Sequence, residues 1–520
     1  MFRQNTYRKG ILWLLFFNGI ARGITFLLGI LLARNFLPEE TDVYLFVWSL
    51  ITIICVIISQ INLMVAGPSY IVLTESKKDK EAANICSAFF NIYLVLLFIF
   101  TVLVIVAPVV TYDVISGFNA EQLKPFEPVL RFSGIWLSLA VLNTFISNIF
   151  LSRKYFVVYI IGQVVTSLIT LFLIVVLKKQ FGIESFFIGQ LAGNIICFVF
   201  YLVLLKVKLN QRIRLFYFAI PRKVSKELAA VLIVSVPTVI TNFLIVYFLS
   251  NFSTGQLSAY NYGSMLANLP DAVFVSQFIS VFGVKLAEEA AKNERHNLFN
   301  TFRFFGNHLF FFMTGIAIVF SLSGYWIIEI LYGKENFGKE LFETTVFSLC
   351  LLSAALPFKA LDVLNNRLFA SLQSLSSLVK YSLPVKLFNI ALLIFMASTF
   401  GFEGLLWQQV CMPAVMVIVQ MYALGRFFPV RKIKKYFLQV FGLLLIGLAV
   451  YVGARYFVND FLIDKNPYLM ILIIMALVLL IGYIIEIIFK LTVFNKLIAA
   501  RSRMVIQKIF GSRPVRNNIG

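Results

Sequence analysis

Asn35–Leu50 reads NFLPEETDVYLFVWSL, and 216 residues further on Asn251–Leu266 reads NFSTGQLSAYNYGSML. Aligned without gaps, they share Asn35 with Asn251, Phe36 with Phe252, Tyr44 with Tyr260 and Leu50 with Leu266. A second pair recurs at an offset of 219: FGIESFFIGQ (Phe181–Gln190) against FGFEGLLWQQ (Phe400–Gln409), with Phe, Gly, Glu and Gln in common. Each match is weak by itself. Two matches with nearly one offset point to an internal repeat.

Outward from these stretches the chain is a succession of apolar runs. Of its 520 residues 60% are hydrophobic and 13% charged, with a mean hydropathy of +0.90. Soluble domains carry about a quarter charged residues, so disorder, a disulfide scaffold and a soluble enzyme are excluded. A bilayer crossing needs about 20 mostly apolar residues. Fourteen candidate spans lie near 11–35, 42–70, 84–111, 127–151, 155–177, 182–205, 228–250, 256–284, 304–330, 341–372, 380–400, 402–425, 436–457 and 467–489. Six spans separate the repeat copies, so both have the same orientation. That predicts parallel repeats about an axis along the membrane normal, with a substrate site between them, as in transporters. The expected fold is an all-α polytopic membrane protein of about 14 transmembrane helices. Residues 1–215 form one six-helix lobe, 216–430 the other, 431–490 an extra pair, and 491–520 a basic tail.

The charge fits this layout. Lys and Arg outnumber Asp and Glu by 45 to 24, a net +21. With both termini on one side, 32 cations fall on the loops of that side, nine on the opposite loops and four inside spans. By the positive-inside rule both termini are cytoplasmic. Lys178 and Lys179 form the one awkward outer loop. Nucleic acid is not an expected partner, because the cations are spread over eight segments. The basic MFRQNTYRKG start leads into a retained first span, with no small-residue cleavage site after it. The tail from Lys490 mixes apolar residues with spaced cations; it reads either as an interfacial helix on anionic inner-leaflet lipids or as a solvated basic tail. Five cysteines, all within apolar runs and without a CxxC, read as small buried hydrophobes. With only two histidines, His296 and His308, no His-rich metal site is expected, and the absence of a Walker motif argues against ATP use.

The four cations inside spans are Arg22, Lys359, Arg367 and Lys386. A central arginine costs at least about 2.5–3.5 kcal/mol on insertion scales. Arg22 therefore either lines a cavity, facing an anionic head group, or completes an ion pair, for which Asp271 is the candidate. Asp271 follows Pro270, where a broken helix is expected. Lys359 and Asp362 stand i, i+3, with Pro357 before them and Arg367 beyond. They read as a local salt bridge or as part of a basic inner vestibule joined by Lys386. Thr41–Asp42 opens span 2 and reads as an N-cap or as a gate. Asn261, Ser264, Asn268 and Gln277 recur at helical spacing, as a hydrated face requires. No catalytic constellation, metal site or cofactor site is present, so no enzyme is expected; coupling to an ion or to the membrane potential stays open.

Several segments resemble the MurJ/MviN lipid II flippase family, within the wider group of multidrug, oligosaccharidyl-lipid and polysaccharide exporters. ARGITFLLGILLARNF is similar to the family's opening motif at Arg22, Phe26, Ala33, Arg34 and Phe36, and Thr41–Asp42 to its Thr-Asp-Ala-Phe. LYGKENF (Leu331–Phe337), Leu269–Pro270 and Phe369–Lys380 resemble second-lobe segments. The departures fall on family positions that make the cavity cationic: Leu28, Gly29, Ile57–Ile58, Ser264, Met265 and Asn268. The resemblance implies a flippase that moves a polyprenyl-(pyro)phosphate-linked glycan, a cell-envelope or exopolysaccharide precursor, by alternating access. It also implies a groove for the isoprenoid tail in the last two spans. Arg22, Lys359, Arg367 and Lys386 would contact substrate; Asp42, Asp271, Asp362 and Asn268 would gate or support. The alternatives are a lipid II flippase of peptidoglycan synthesis, a drug/cation antiporter on the related fold, and a non-transporting scaffold among glycan-synthesis membrane proteins.

Overall fold

The computed structural model describes residues 7–489 apart from 154, 211–212, 276–278, 280–284, 287–288, 291, 293–294, 334–336, 373–374 and 462–466. The basic tail, 491–520, lies outside the described residues. All fourteen apolar stretches fall wholly or partly on helix, and the described residues contain no strand. The main helices are α1 Tyr7–Asn35, α2 Pro38–Ile61, α3 Gly67–Glu75, α4 Asp79–Val106, α5 Glu127–Ser152, α6 Phe156–Phe181, α7 Glu184–Leu209 and α8 Arg222–Asn251. They continue as α9 Gln256–Ala267, α10 Arg295–Tyr332, α11 Lys339–Ala354, α12 Leu356–Ser371, α13 Leu375–Leu424, α14 Val430–Phe461 and α15 Pro467–Phe489.

By length and apolar composition nine helices among the described residues can cross a bilayer, or eleven when each bent pair counts as one span. The expected fourteen is not reached by that measure. Span 8 runs partly outside the described residues. Spans 11 and 12 form the single run α13, interrupted at Gly401. Span 10 is the pair α11–α12, bent by 41° just before Pro357, whose ring and missing N–H break the helical ladder. Pro270 acts as expected: α9 stops at Ala267, and a π-turn, Asp271–Val275, follows.

The chain divides into two compact units. The first takes in residues up to Ala267, Ile328–Leu352 and Val379–Met412. Its tightest packing joins α6 and α7. Gly189 and Gly193, spaced as G-x-x-x-G, lie against the backbones of Thr170 and Thr166, so close that a Cβ on either glycine would sit 2.9 Å from the threonine Cα. Lipid removes the hydrophobic driving force between helices, and close backbone approach at small residues replaces it. An aromatic cluster ties α2, α5 and α7: the Tyr44 ring lies 6.0 Å from Trp136 and 5.3 Å from Phe187. The second unit takes in Asn268–Ile327, Ser353–Leu378 and the chain from Pro413. There Ile318 and Leu322 of α10 pack with Ala454 of α14 and Met470, Ile474 and Val478 of α15.

Two glycines of the matched stretches share one backbone conformation. Gly182, between α6 and α7, has φ 51° and ψ −133°; Gly401, 219 residues on, has φ 59° and ψ −140°. Side chains are essentially excluded from that region, at a cost of about 1–3 kcal/mol. A Cβ at Gly401 would touch nothing within 4 Å, so the penalty is purely conformational. Gly401→Ala is expected to lower the melting temperature of the detergent-purified protein. Gly453→Ala, in open space within α14, should leave it unchanged or raise it, since alanine is favoured over glycine in a helix by about 0.5–1 kcal/mol.

Candidate functional site

Asp42 does not cap its own helix. α2 starts at Pro38, a residue tolerated there because the first-turn N–H groups have no helical partner, and Glu40 Oε2 accepts the Leu37 N–H at 3.0 Å. Asp42 therefore stands one turn inside α2, 3% exposed, with its carboxylate available. It caps α9 instead. Oδ2 accepts the Gly255 N–H at 2.6 Å, and Oδ1 accepts the N–H and O–H of Ser258 at 2.8 and 2.5 Å. Thr41 Oγ1 lies 2.7 Å from the same Ser258 Oγ. The first amides of a helix lack partners within it and form the positive end of its dipole, so an ionised carboxylate suits this place. Gly255 has φ 88°, which glycine adopts freely.

Ser258 is the repeat equivalent of Asp42, 216 residues away. The contact therefore joins corresponding positions of the two matched stretches. Nearby, Arg34 Nε and Nη2 donate to the Leu331 and Ile330 carbonyls, both at 2.8 Å. Those carbonyls end α10, where a cation is favoured by the dipole. A carboxylate of α2 thus holds the start of α9, and a guanidinium of α1 holds the end of α10.

The cations within spans divide between the units. Arg22 is exposed on α1 and makes no ion pair among the described residues. Lys386, half-buried on α13, belongs to the same unit. In the second unit Lys359 and Asp362 are not the local pair that their spacing suggests. The Lys359 ammonium lies 3.5 Å from Asn268 Oδ1, with Asp271 within electrostatic reach. Asp362 Oδ1 instead accepts Nε2 of Gln420 at 2.5 Å and Nδ2 of Asn366 at 3.2 Å. Asn365 Nδ2 donates to Gln420 Oε1 at 2.9 Å, so two carboxamides bond the carboxylate and a third holds one of them. Arg367 stands exposed one turn beyond. The structure thus joins Asn268, Asp271 and Lys359 in one set and Asp362 with amides in another.

Sequence reasoning missed Ser258, Gly255 and Gln420. For Ser258 the signal was present, since it stands opposite Asp42 when the two repeat copies are aligned. For Gln420 there was none, because contacts between distant helices leave no local spacing.

Residues 39–473 match the family described as the lipid II flippase MurJ. The chain belongs to that family. Among solved structures, a lipid II flippase MurJ in an inward closed conformation has a TM-score of 0.77 at 18% identity, covering 94% of this chain and 100% of that one. An inward-facing multidrug resistance MATE family transporter of the MOP superfamily gives 0.63 at 16% identity, over 81% of this chain and 96% of that one. An outward-facing structure of a transporter of the same description gives 0.58 at 15%, over 83% and 97%. At such identities the likeness is one of fold. No curated protein matches the sequence significantly. The chain is accordingly a multi-pass membrane protein of a flippase family, not of an enzyme family, with a MurJ/MATE-like transporter fold.

Proposed function

We propose that the chain moves a polyprenyl-(pyro)phosphate-linked glycan across the bacterial inner membrane by alternating access. The observation that carries this reading is the family match over residues 39–473. Two six-helix lobes, 1–215 and 216–430, are the moving parts. The matched glycines Gly182 and Gly401, 219 residues apart with one backbone conformation, support that division. Asp42 serves as a gate: a carboxylate on a helix end can be released and re-formed without chemistry. Arg22, Lys359, Arg367 and Lys386 are assigned to the anionic head group on charge, with Asn268, Asp271 and Asp362 as their polar support. Both termini lie in the cytoplasm, residues 431–490 hold the isoprenoid tail, and the basic end of the chain meets anionic lipid.

Lipid II is supported as cargo by the family's own description. A different glycan is supported by the apolar or neutral residues Leu28, Gly29, Ile57, Ile58, Ser264 and Met265, where the resembled family makes its cavity cationic. Depletion of the protein in its own cell decides between them. Mass spectrometry of the lipid extract should show one lipid-linked intermediate accumulating; if it is lipid II, and the chain also rescues a conditional lipid II flippase mutant, the peptidoglycan reading stands. Accumulation of no lipid-linked intermediate would overturn both and leave a scaffold.

A further inference from the structure

The connection between α7 and α8 combines clustered cations with exposed apolar side chains. From Lys206 through Lys226 the chain carries seven Lys or Arg residues and no Asp or Glu. In the middle of this basic stretch Leu215, Phe216 and Phe218 are 62%, 87% and 46% exposed. The loop is nonetheless fixed. Asn91 of α4 donates through Nδ2 to the carbonyls of Arg214 and Tyr217, at 2.8 and 3.0 Å, and the Arg214 N–H donates to Ser87 Oγ at 3.0 Å. Both pins are buried, Ser87 at 0% and Asn91 at 2% exposure. They hold Phe216 at φ 61°, a conformation unfavourable for a bulky side chain.

Height along α4 says what the exposed rings meet. Its outward apolar band begins at Leu94 and continues through Val95, Leu96, Phe98 and Ile99. Asn91 precedes that band by less than one turn, so the loop lies at its edge. A strained backbone presenting an almost fully exposed phenylalanine is unfavourable in water and favourable where the ring enters acyl chains. The cations on either side supply the complement to lipid phosphates.

We infer that the pinned loop 213–221 is an interfacial anchor for an anionic lipid leaflet. Leu215, Phe216 and Phe218 enter the acyl-chain boundary, and Arg214 and Arg222 face the phosphates. A protein partner would need an acidic surface at this height; lipid is already there, one helical turn away.

The test uses the full chain with its five cysteines replaced, Leu215→Cys labelled with an environment-sensitive fluorophore, and reconstitution into phosphatidylethanolamine–phosphatidylglycerol vesicles. Nitroxides on lipid acyl chains should quench the label, and aqueous iodide should not. Phosphatidylglycerol nitroxides should quench more than phosphatidylcholine nitroxides at equal content. Arg214→Gln and Arg222→Gln should each reduce that preference roughly fivefold, the value of about 1 kcal/mol per surface cation. Asn91→Ala, which releases the pin, should raise iodide quenching while a label at Leu96 stays lipid-quenched, showing that α4 remains inserted. Quenching by iodide alone would place the loop in water and overturn the inference. Shielding from both quenchers would put a protein over the loop and overturn it equally. Identical quenching by the two lipids would overturn the anionic specificity.

Discussion

Asp42→Asn is expected to nearly abolish export while leaving the protein inserted. The substitution keeps size and removes one acceptor. Asp42 uses both oxygens, Oδ2 for the Gly255 N–H and Oδ1 for the Ser258 N–H and O–H. An asparagine can retain one of these sets; its NH2 then faces the N–H groups of the other, donor against donor. A hydrogen bond to a charged group contributes about 1.5–3 kcal/mol, and the lost charge also forfeits its interaction with the α9 dipole. A bias of that size corresponds to roughly a tenfold to hundredfold shift between two conformations. The measurement is the reaction rate of Asn261→Cys on α9 with a membrane-impermeant maleimide applied from each side in turn. The Asp42→Asn chain should react about tenfold faster or more from one side only. Ser258→Ala removes the hydroxyl but keeps the backbone N–H, so its shift should be smaller, near the 1 kcal/mol of an ordinary hydrogen bond. Equal reactivity of wild type and Asp42→Asn from both sides would remove Asp42 from the gate.

What could be read in the sequence depended on whether the cause was local. Apolar length located the helices, because a bilayer imposes it residue by residue. Pro270 located a break, because proline acts on its own turn; the bend before Pro357 had the same local signal but was not read from it. FGIE and FGFE located two equivalent reversals, since only glycine adopts the conformation that Gly182 and Gly401 share. Errors arose where local spacing competed with a distant partner. Thr41–Asp42 looked like a cap for α2, but its donors are Gly255 and Ser258. Lys359 and Asp362 looked like an i, i+3 pair, but Lys359 turns to Asn268 and Asp362 to Gln420. In apolar surroundings a neutral amide satisfies a carboxylate without stranding a second charge, and no sequence period announces which helix brings it. The number of crossings was the least legible quantity, because a 41° bend and a glycine interruption change how a run of helix is divided.

Arg22→Ala should stop export and should not destabilise the protein, and the pairing of those two results is the point of the experiment. Arg22 is exposed on α1 and forms no ion pair among the described residues. Holding a guanidinium within a span costs at least about 2.5–3.5 kcal/mol on insertion scales, so its removal should leave the melting temperature unchanged or raise it. A structural ion pair predicts the reverse, since stranding a buried partner costs about 3–5 kcal/mol. If Arg22 instead meets the phosphate oxygens of the cargo, its loss removes charge-assisted hydrogen bonds of about 1.5–3 kcal/mol each, and export into proteoliposomes should fall at least tenfold. Arg22→Lys separates charge from geometry. Lysine keeps the positive charge but presents a point ammonium where arginine presents a planar fork that matches two phosphate oxygens, so it should retain an intermediate rate. A chain in which Arg22→Ala lowers the melting temperature by several degrees, with export and stability falling together and lysine restoring both, would make Arg22 a strut of the fold and move the search for the head-group contact to Lys359, Arg367 and Lys386.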